Sequence, residues 1–245
     1  MKIKNYTRQK NGQYKIRLED DSYILLHEEL ILKYELLIKK EISTSMQNKL
    51  LEENKTYLIY DDAIKFIARK MRSINELRCY LLKKDYSKDV VSDVIKLLIK
   101  QGYLDDLVYA KAFVYDKIAL SNWGPLKIKE SLKKDLINEE YISESIKIYT
   151  IEIEEEMVQK LINKVIKTNH NKGKSFLKQK VLNDISNLGY HRSVITQYLY
   201  LIDEIDDSDI KKKEYDKLYN KLSKKYEGSE LDYKIRQKLY QKGFK

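Results

Sequence analysis

At 245 residues with 42% apolar side chains, the chain is long enough to build one large domain or two small ones around a real hydrophobic core. Seven glycines and one proline leave few breakers among abundant lysine, leucine, isoleucine and glutamate, so propensity favours helices over a β-sandwich or barrel. The net charge of +10, with most of its surplus in residues 208–245, suits either a polyanionic partner or a merely solvated basic surface.

In chain order, alternation from Lys2 to Gln9, an Asn11-Gly12 turn, Gln13 to Leu18, Asp20-Asp21 and Ser22 to Leu26 predict a small β-meander. At His27 the spacing changes. Leu30, Tyr34, Leu37 and Ile38 make a helical stripe, closing an amino-terminal unit over 1–42, and Ser43 to Ser45 are placed to cap another short helix.

The rest of the chain repeats itself when Tyr86, Ile137, Tyr190 and Phe244 are taken as equivalent anchors, 51, 53 and 54 residues apart. Five residues before each stands Leu81, Leu132, Ile185 or Leu239, and nine before stands Leu77, Ile128, Val181 or Ile235, the inner face of one helix per repeat. After the anchors, Val90-Val91, Tyr141-Ile142 and Val194-Ile195 open a further helix, with Ser87 and Asn138 as caps and Gly102 as a left-handed stop. Upstream stripes complete a three-helix repeat: Ile64, Ile67, Ala68, Met71, then Ala110, Phe113, Val114, Ile118, then Val158, Leu161, Ile162, Val165, then Tyr215, Leu218, Tyr219, Leu222. The breaks fall at the Ser73-Ile74-Asn75-Glu76 capping box, at Gly124-Pro125, at Gly173 and at Gly228.

The expected fold is therefore mainly α, with three-helix repeats over 43–103, 104–150 and 151–207 and a partial fourth of two helices over 208–245. Such units bury their faces only against neighbours, so an elongated, curved solenoid of either hand is expected behind the meander.

Candidate chemistry is sparse. The lone Cys79 excludes an internal disulfide, and His27, His170 and His191 have no ligand spacing, so no metal or other cofactor is expected. No phosphate-cradling loop or nucleophile elbow appears, which argues against an enzyme. The absence of an apolar run of about 18–20 residues and of a signal core after Met1 points to a cytoplasmic protein without a membrane span. Asp61-Asp62, Asp105-Asp106 and the run Glu152, Glu154, Glu155, Glu156 read as acids in the first turns of helices. Trp123 reads as packing under its loop, or as a ring offered to a base or a partner's aromatic side chain. Basic residues gather at two breaks: Arg69, Lys70, Arg72 and Arg78, then Lys127, Lys129, Lys133 and Lys134. They avoid the buried stripe positions, so they are solvated or engaged with an anionic partner.

Met71-Arg72-Ser73-Ile74-Asn75-Glu76-Leu77-Arg78, then Gly102-Tyr103-Leu104-Asp105-Asp106, Tyr109-Ala110, Phe113-Val114 and Trp123-Gly124-Pro125 closely resemble, in order and spacing, the RecX family of recombination regulators. The meander resembles the extension of the family's longer members. The resemblance implies a helical-repeat protein that binds the RecA recombinase and lodges in the groove of its filament on single-stranded DNA; a monomer without cofactor is expected. It further implies inhibition of RecA's ATPase, strand exchange and coprotease activities, and hence a place in DNA repair and the SOS response. Under it, the eight basic residues named above become the candidates for contact with RecA or DNA. The alternative from the residues alone is a helical-repeat protein that binds nucleic acid directly, without RecA. The departure from the family's pattern lies in repeat three, where Asn169 to Gly173 replace a Gly-Pro break and the second helix gains about one turn.

Overall fold

A computed structural model describes residues 1–9 and 12–244, so Asn11 of the expected turn and Lys245 lie outside the described residues. The chain forms two compact units, Met1–Tyr109 and Ala110–Lys245. The fold is mainly α-helical with one small amino-terminal sheet.

In the first unit, β1 (Ile3–Arg8), β2 (Gln13–Leu18) and β3 (Tyr23–His27) pair antiparallel in the order β1-β2-β3. Ile16 faces both Tyr6 and Ile24 across the register, so the period-two pattern puts Ile16, Leu18, Ile24 and Leu26 on one face. That face packs with Leu30, Ile31, Leu36, Ile42 and Leu50 into a core. The helical stripe from His27 is corrected here. Two short helices, α1 (Glu28–Lys33) and α2 (Leu36–Lys39), replace one, because Glu35 adopts a left-handed conformation at φ 50° between them. Leu37 and Ile38 then point outward and Leu36 inward.

Ser43 caps the next helix through Met46 N–H, but α3 (Thr44–Ile67) is 24 residues long, not short. It runs from the meander into the first repeat, with Leu50 in the first core and Ile59 and Ala63 in the next. Since α3 ends at Ile67, the expected stripe positions Ala68 and Met71 are exposed. The capping box forms as read. Ser73 Oγ accepts from Glu76 N–H, and Glu76 accepts from Ser73 N–H, opening α4 (Ile74–Leu82). α5 (Lys88–Lys100) follows Tyr86 and stops at Gly102, φ 76°, although Ser87 makes no side-chain cap bond. α6 (Asp106–Leu120) carries the chain from the first unit into the second.

The second unit continues with α7 (Pro125–Lys134), α8 (Glu139–Ser145) and a 3-10 turn at Ile146–Ile148. Next come α9 (Ile151–Thr168), α10 (Lys174–Asn187), α11 (Arg192–Gln197) and α12 (Tyr200–Asp203). α13 (Ser208–Leu222) and α14 (Gly228–Gln241) end the fold. The helix expected after Tyr190 is thus split in two, and α10 exceeds α7 by about one turn. The second-helix positions Leu77, Ile128, Val181, Ile235, Leu81, Leu132, Ile185 and Leu239 are all buried. In α13 the stripe is rotated, because Tyr215 and Tyr219 are exposed while Ile210, Leu218 and Leu222 face the last core.

Each anchor follows a residue in the left-handed region: Asp85, Leu136, Gly189 and Gly243. At Ile137 and Phe244 the anchor N–H donates to Leu132 O and Leu239 O, both at 3.1 Å, the six-to-one bond of a Schellman stop. In the second unit this stop also joins one repeat to the next. Gly124 N–H donates to Leu188 O (2.7 Å) and Leu126 N–H to Gly189 O (2.9 Å), and Gly173 N–H and Ser175 N–H repeat the pattern on Lys242 O and Gly243 O (2.9 and 3.2 Å). The free N–H groups of one second helix are therefore satisfied by the carbonyls ending the next repeat's second helix. A Cβ on Gly124 would lie 2.4 Å from Gly189 O and one on Gly173 2.3 Å from Gly243 O, so both positions require glycine.

Candidate interaction surface

At the first break the candidate cations have unlike surroundings. Arg69 is exposed, while Lys70 and Arg72 both approach Glu76, at 3.7 and 3.3 Å. Arg72 departs from the expectation that the cluster avoids burial: its side chain is only 17% exposed. Its guanidinium lies 4.1 Å from the Phe66 ring centroid, Phe66 stacks on Tyr80 at 3.9 Å and 7°, and Lys84 covers Tyr80 at 5.0 Å. A planar cation over an aromatic face gains from the ring quadrupole, so Arg72 serves the packing of its own unit. Arg78 is exposed on α4 beside a cavity of about 270 Å³ that Leu82, Lys88, Val91 and Ser92 also line.

The second cluster belongs to the second unit. Lys133 pairs with Glu139 at 3.1 Å and Lys134 with Glu130 at 2.8 Å, both on the surface. Lys127 lies 4.8 Å from the Trp123 ring centroid and Lys129 is half-buried. Trp123 itself is half-buried, and its backbone N–H donates to Ser121 Oγ at 3.3 Å. Lys70, Arg72, Lys133 and Lys134 thus have carboxylates within the chain, whereas no ion pair to Arg69, Arg78, Lys127 or Lys129 occurs among the described residues.

The acidic pairs divide. Asp105 Oδ1 accepts from Leu107 and Val108 N–H, capping α6 as read, and Asp106 Oδ1 reaches back 2.9 Å to Ile74 N–H at the start of α4. Asp61 and Asp62 are corrected: they lie inside α3, in its second half, and not in a first turn. Tertiary partners hold them instead. Asp61 meets His27 Nε2 at 3.1 Å, and Asp62 accepts from Lys84 (2.7 Å) and Tyr86 (2.6 Å). Burial pushes Asp62 up, but the Lys84 and Tyr86 bonds outweigh it and hold the carboxyl below its usual value. Burial, then the Asp62 carboxylate, pushes Tyr86 up to about 12.

Glu154 also corrects the reading of a solvated first turn. It is 3% exposed and accepts from His191 N–H at 2.7 Å, with the imidazole Nδ1 2.9 Å from Oε2. Sequence spacing carries no sign of these pairs, because 34 and 37 residues separate the partners. A wide cleft of about 790 Å³ in the first unit is lined by His27, Glu28, Glu53, Tyr57, Tyr60 and Asp61. Of the four carboxylates in its lining, Glu28 pairs with Arg8, Glu53 with Lys33, and Asp61 meets His27. Among the described residues, no group of three or more metal-ligating side chains occurs, and no helix is long and apolar enough to cross a membrane.

Residues 60–98 match the family model of the first three-helix domain of RecX, and residues 105–146 that of the second. The regulatory protein RecX of Lactococcus lactis subsp. cremoris (strain SK11) is 31% identical over 240 residues, covering 94% of this chain and 89% of the relative. The regulatory protein RecX of Oceanobacillus iheyensis is 29% identical over 258 residues, covering 99% and 93%. A crystal structure of regulatory protein RecX shares the fold, with TM-score 0.67, 24% identity and coverage of 80% of this chain and 98% of that one. So does RecX from Lactobacillus salivarius, with TM-score 0.58, 22% identity and coverage of 62% and 99%. With two consecutive three-helix domains matched and its length shared almost end to end with such relatives, the chain belongs to the RecX family of regulatory proteins.

Proposed function

We propose that this protein binds the RecA recombinase and its filament on single-stranded DNA, and inhibits RecA's ATPase, strand exchange and coprotease activities. The observation that carries this reading is membership of a regulatory family along nearly the whole chain. The protein works without catalysis or cofactor, in the cytoplasm, as a monomer whose successive three-helix modules supply distributed contacts. Arg69, Arg78, Lys127 and Lys129 are the contacts best suited to the task, because no ion pair holds them among the described residues. Lys70, Lys133 and Lys134 hold exposed pairs worth at most about 1 kcal/mol, so a partner's anion can recruit them too. Arg72 acts by keeping the first break rigid.

Purified protein titrated into RecA, ATP and single-stranded DNA is expected to lower ATP hydrolysis at near-stoichiometric amounts. Hydrolysis unchanged across a broad titration rejects the reading. Reversing Arg69 and Arg78 to Glu is expected to raise the half-inhibitory concentration about tenfold or more with helicity intact, as two charge-assisted contacts of about 1 kcal/mol each require. Equal potency removes that pair from the surface.

A further inference from the structure

The fourth repeat lacks the helix that closes the other three. In the first repeat α5 begins just after the anchor Tyr86 and sends Val91, Val94, Ile95 and Leu98 into one core with Leu77 and Leu81 of α4. α8 follows Ile137 and packs on α7 with Ile142 buried, and α11 follows Tyr190 and packs on α10 with Val194 and Ile195 buried. Among the described residues no helix follows Phe244, and the last core draws on α13, α14 and the residues beside them.

Aligned on the anchors, Arg236 and Tyr240 of α14 correspond to Arg78 and Leu82 of α4. Arg78 and Leu82 meet Lys88, Val91 and Ser92 of α5 around a cavity of about 270 Å³. The corresponding side of α14 opens instead on a groove of about 630 Å³, lined by Lys211, Tyr233, Arg236, Leu239, Tyr240 and Phe244. Leu82 is half-buried beside α5, whereas Tyr240 is 74% and Tyr233 62% exposed. The groove thus occupies the place that α5 fills in the first repeat.

What suits the groove is set by what fills its counterparts. α5 and α8 carry carboxylates in the first turn, Asp89 and then Glu139 and Glu140, ahead of aliphatic residues at helical spacing. In the second repeat the charges meet across the joint: Lys133, which aligns with Tyr240, pairs with Glu139 at 3.1 Å. Lys211 and Arg236 bring cations to the groove, within a segment, 208–245, whose twelve Lys and Arg outnumber six Asp and Glu. Exposed tyrosines and an arginine around the apolar Leu239 and Phe244 are side chains of the kind that carry binding energy at interfaces. A second copy of the chain would have to surrender α5 or α8 to fill the groove, and Val94 and Leu98 of α5 are fully buried in their own core.

We propose that this groove on α13 and α14 docks an amphipathic helix of another protein, apolar at i, i+3, i+4 and i+7 and with carboxylates in its first turn. The site lies apart in sequence from the eight cations considered for RecA or DNA, and it does not rest on the RecA reading.

The test uses the full chain and a fluorescein-labelled peptide of residues 87–102, the α5 segment, stapled on its polar face because so short a helix is marginal alone. The peptide is made in its own sequence and as the Lys88→Glu, Lys96→Glu form. Saturable anisotropy is expected with both, the acidic form binding about tenfold more tightly at low salt and losing that advantage at high salt. Its Val91→Asp, Ile95→Asp derivative is expected not to bind. In the full chain Tyr240→Ala and Arg236→Glu alter exposed residues, so helicity by circular dichroism is expected to hold, and each is expected to weaken the acidic peptide at least about tenfold. Absence of binding by the acidic peptide overturns the proposal, as does binding that survives both substitutions, which places the peptide elsewhere. Self-association in sedimentation that Tyr240→Ala abolishes assigns the groove to a second copy, and oligothymidylate that displaces the peptide assigns it to nucleic acid; either result overturns the proposal too.

Discussion

Single residues in this protein are decided by partners far away in sequence. Asp62 is an acid in the middle of a helix whose burial opposes its charge, yet Lys84 and Tyr86 hold it ionised. Its carboxyl is held below the usual value in the folded state. It therefore contributes stability in full above about pH 4, the unfolded value, and loses it as pH falls through the depressed folded one. Asp62→Asn is expected to destabilise the first unit by roughly 1–2 kcal/mol at neutral pH and by little in acid, which urea melts at both pH values check. Tyr86 works in the opposite sense. With its phenol raised to about 12, the stability it contributes is whole below about pH 10 and is lost as pH rises through about 12.

Among the elements, the start of each second helix carries the clearest rule. Asp106 Oδ1 accepts from Ile74 N–H at 2.9 Å, and Asp207 Oδ2 accepts from Lys174 N–H at 3.3 Å. In both cases the preceding acid, Asp105 or Asp206, accepts from a backbone N–H in the first turn of its own helix. An Asp-Asp pair therefore serves two helices at once, its own and the second helix of the repeat before. Repeat three opens with Thr150-Ile151 instead, and the second helix before it begins with Pro125, which has no N–H to satisfy. Asp106→Ala is expected to cost about 1 kcal/mol, the worth of one cap bond, and to speed hydrogen exchange at Ile74 while leaving α7 protected.

Across the molecule, the joints within the second unit are backbone to backbone, with glycine on both sides of each: Gly124 with Gly189 and Gly173 with Gly243. Coupling of this kind passes only between neighbours, so damage should stay local. Gly173→Ala places a Cβ where Gly243 O stands, and is expected to cost about 1–3 kcal/mol, as overpacking does. Hydrogen exchange should then quicken in α14 and remain slow in α7. Uniform loss of protection across the second unit would show that its repeats unfold together instead.

The repeat, the second-helix faces, the capping box and the Gly-Pro start were legible in the sequence, because each depends on the spacing of side chains along one helix or on the chemistry of one turn. Family motifs between Met71 and Pro125 were legible for the same reason. The tertiary structure alone decided what those helices meet. It turned Asp61, Asp62 and Glu154 from helix-start acids into long-range partners. It drew Arg72 into an aromatic stack and left Arg69, Arg78, Lys127 and Lys129 outside the ion pairs of the described residues. A local pattern fixes which face of a helix is apolar, but the fate of a charge depends on which other charges and rings folding brings within a few ångströms, and no periodicity records that.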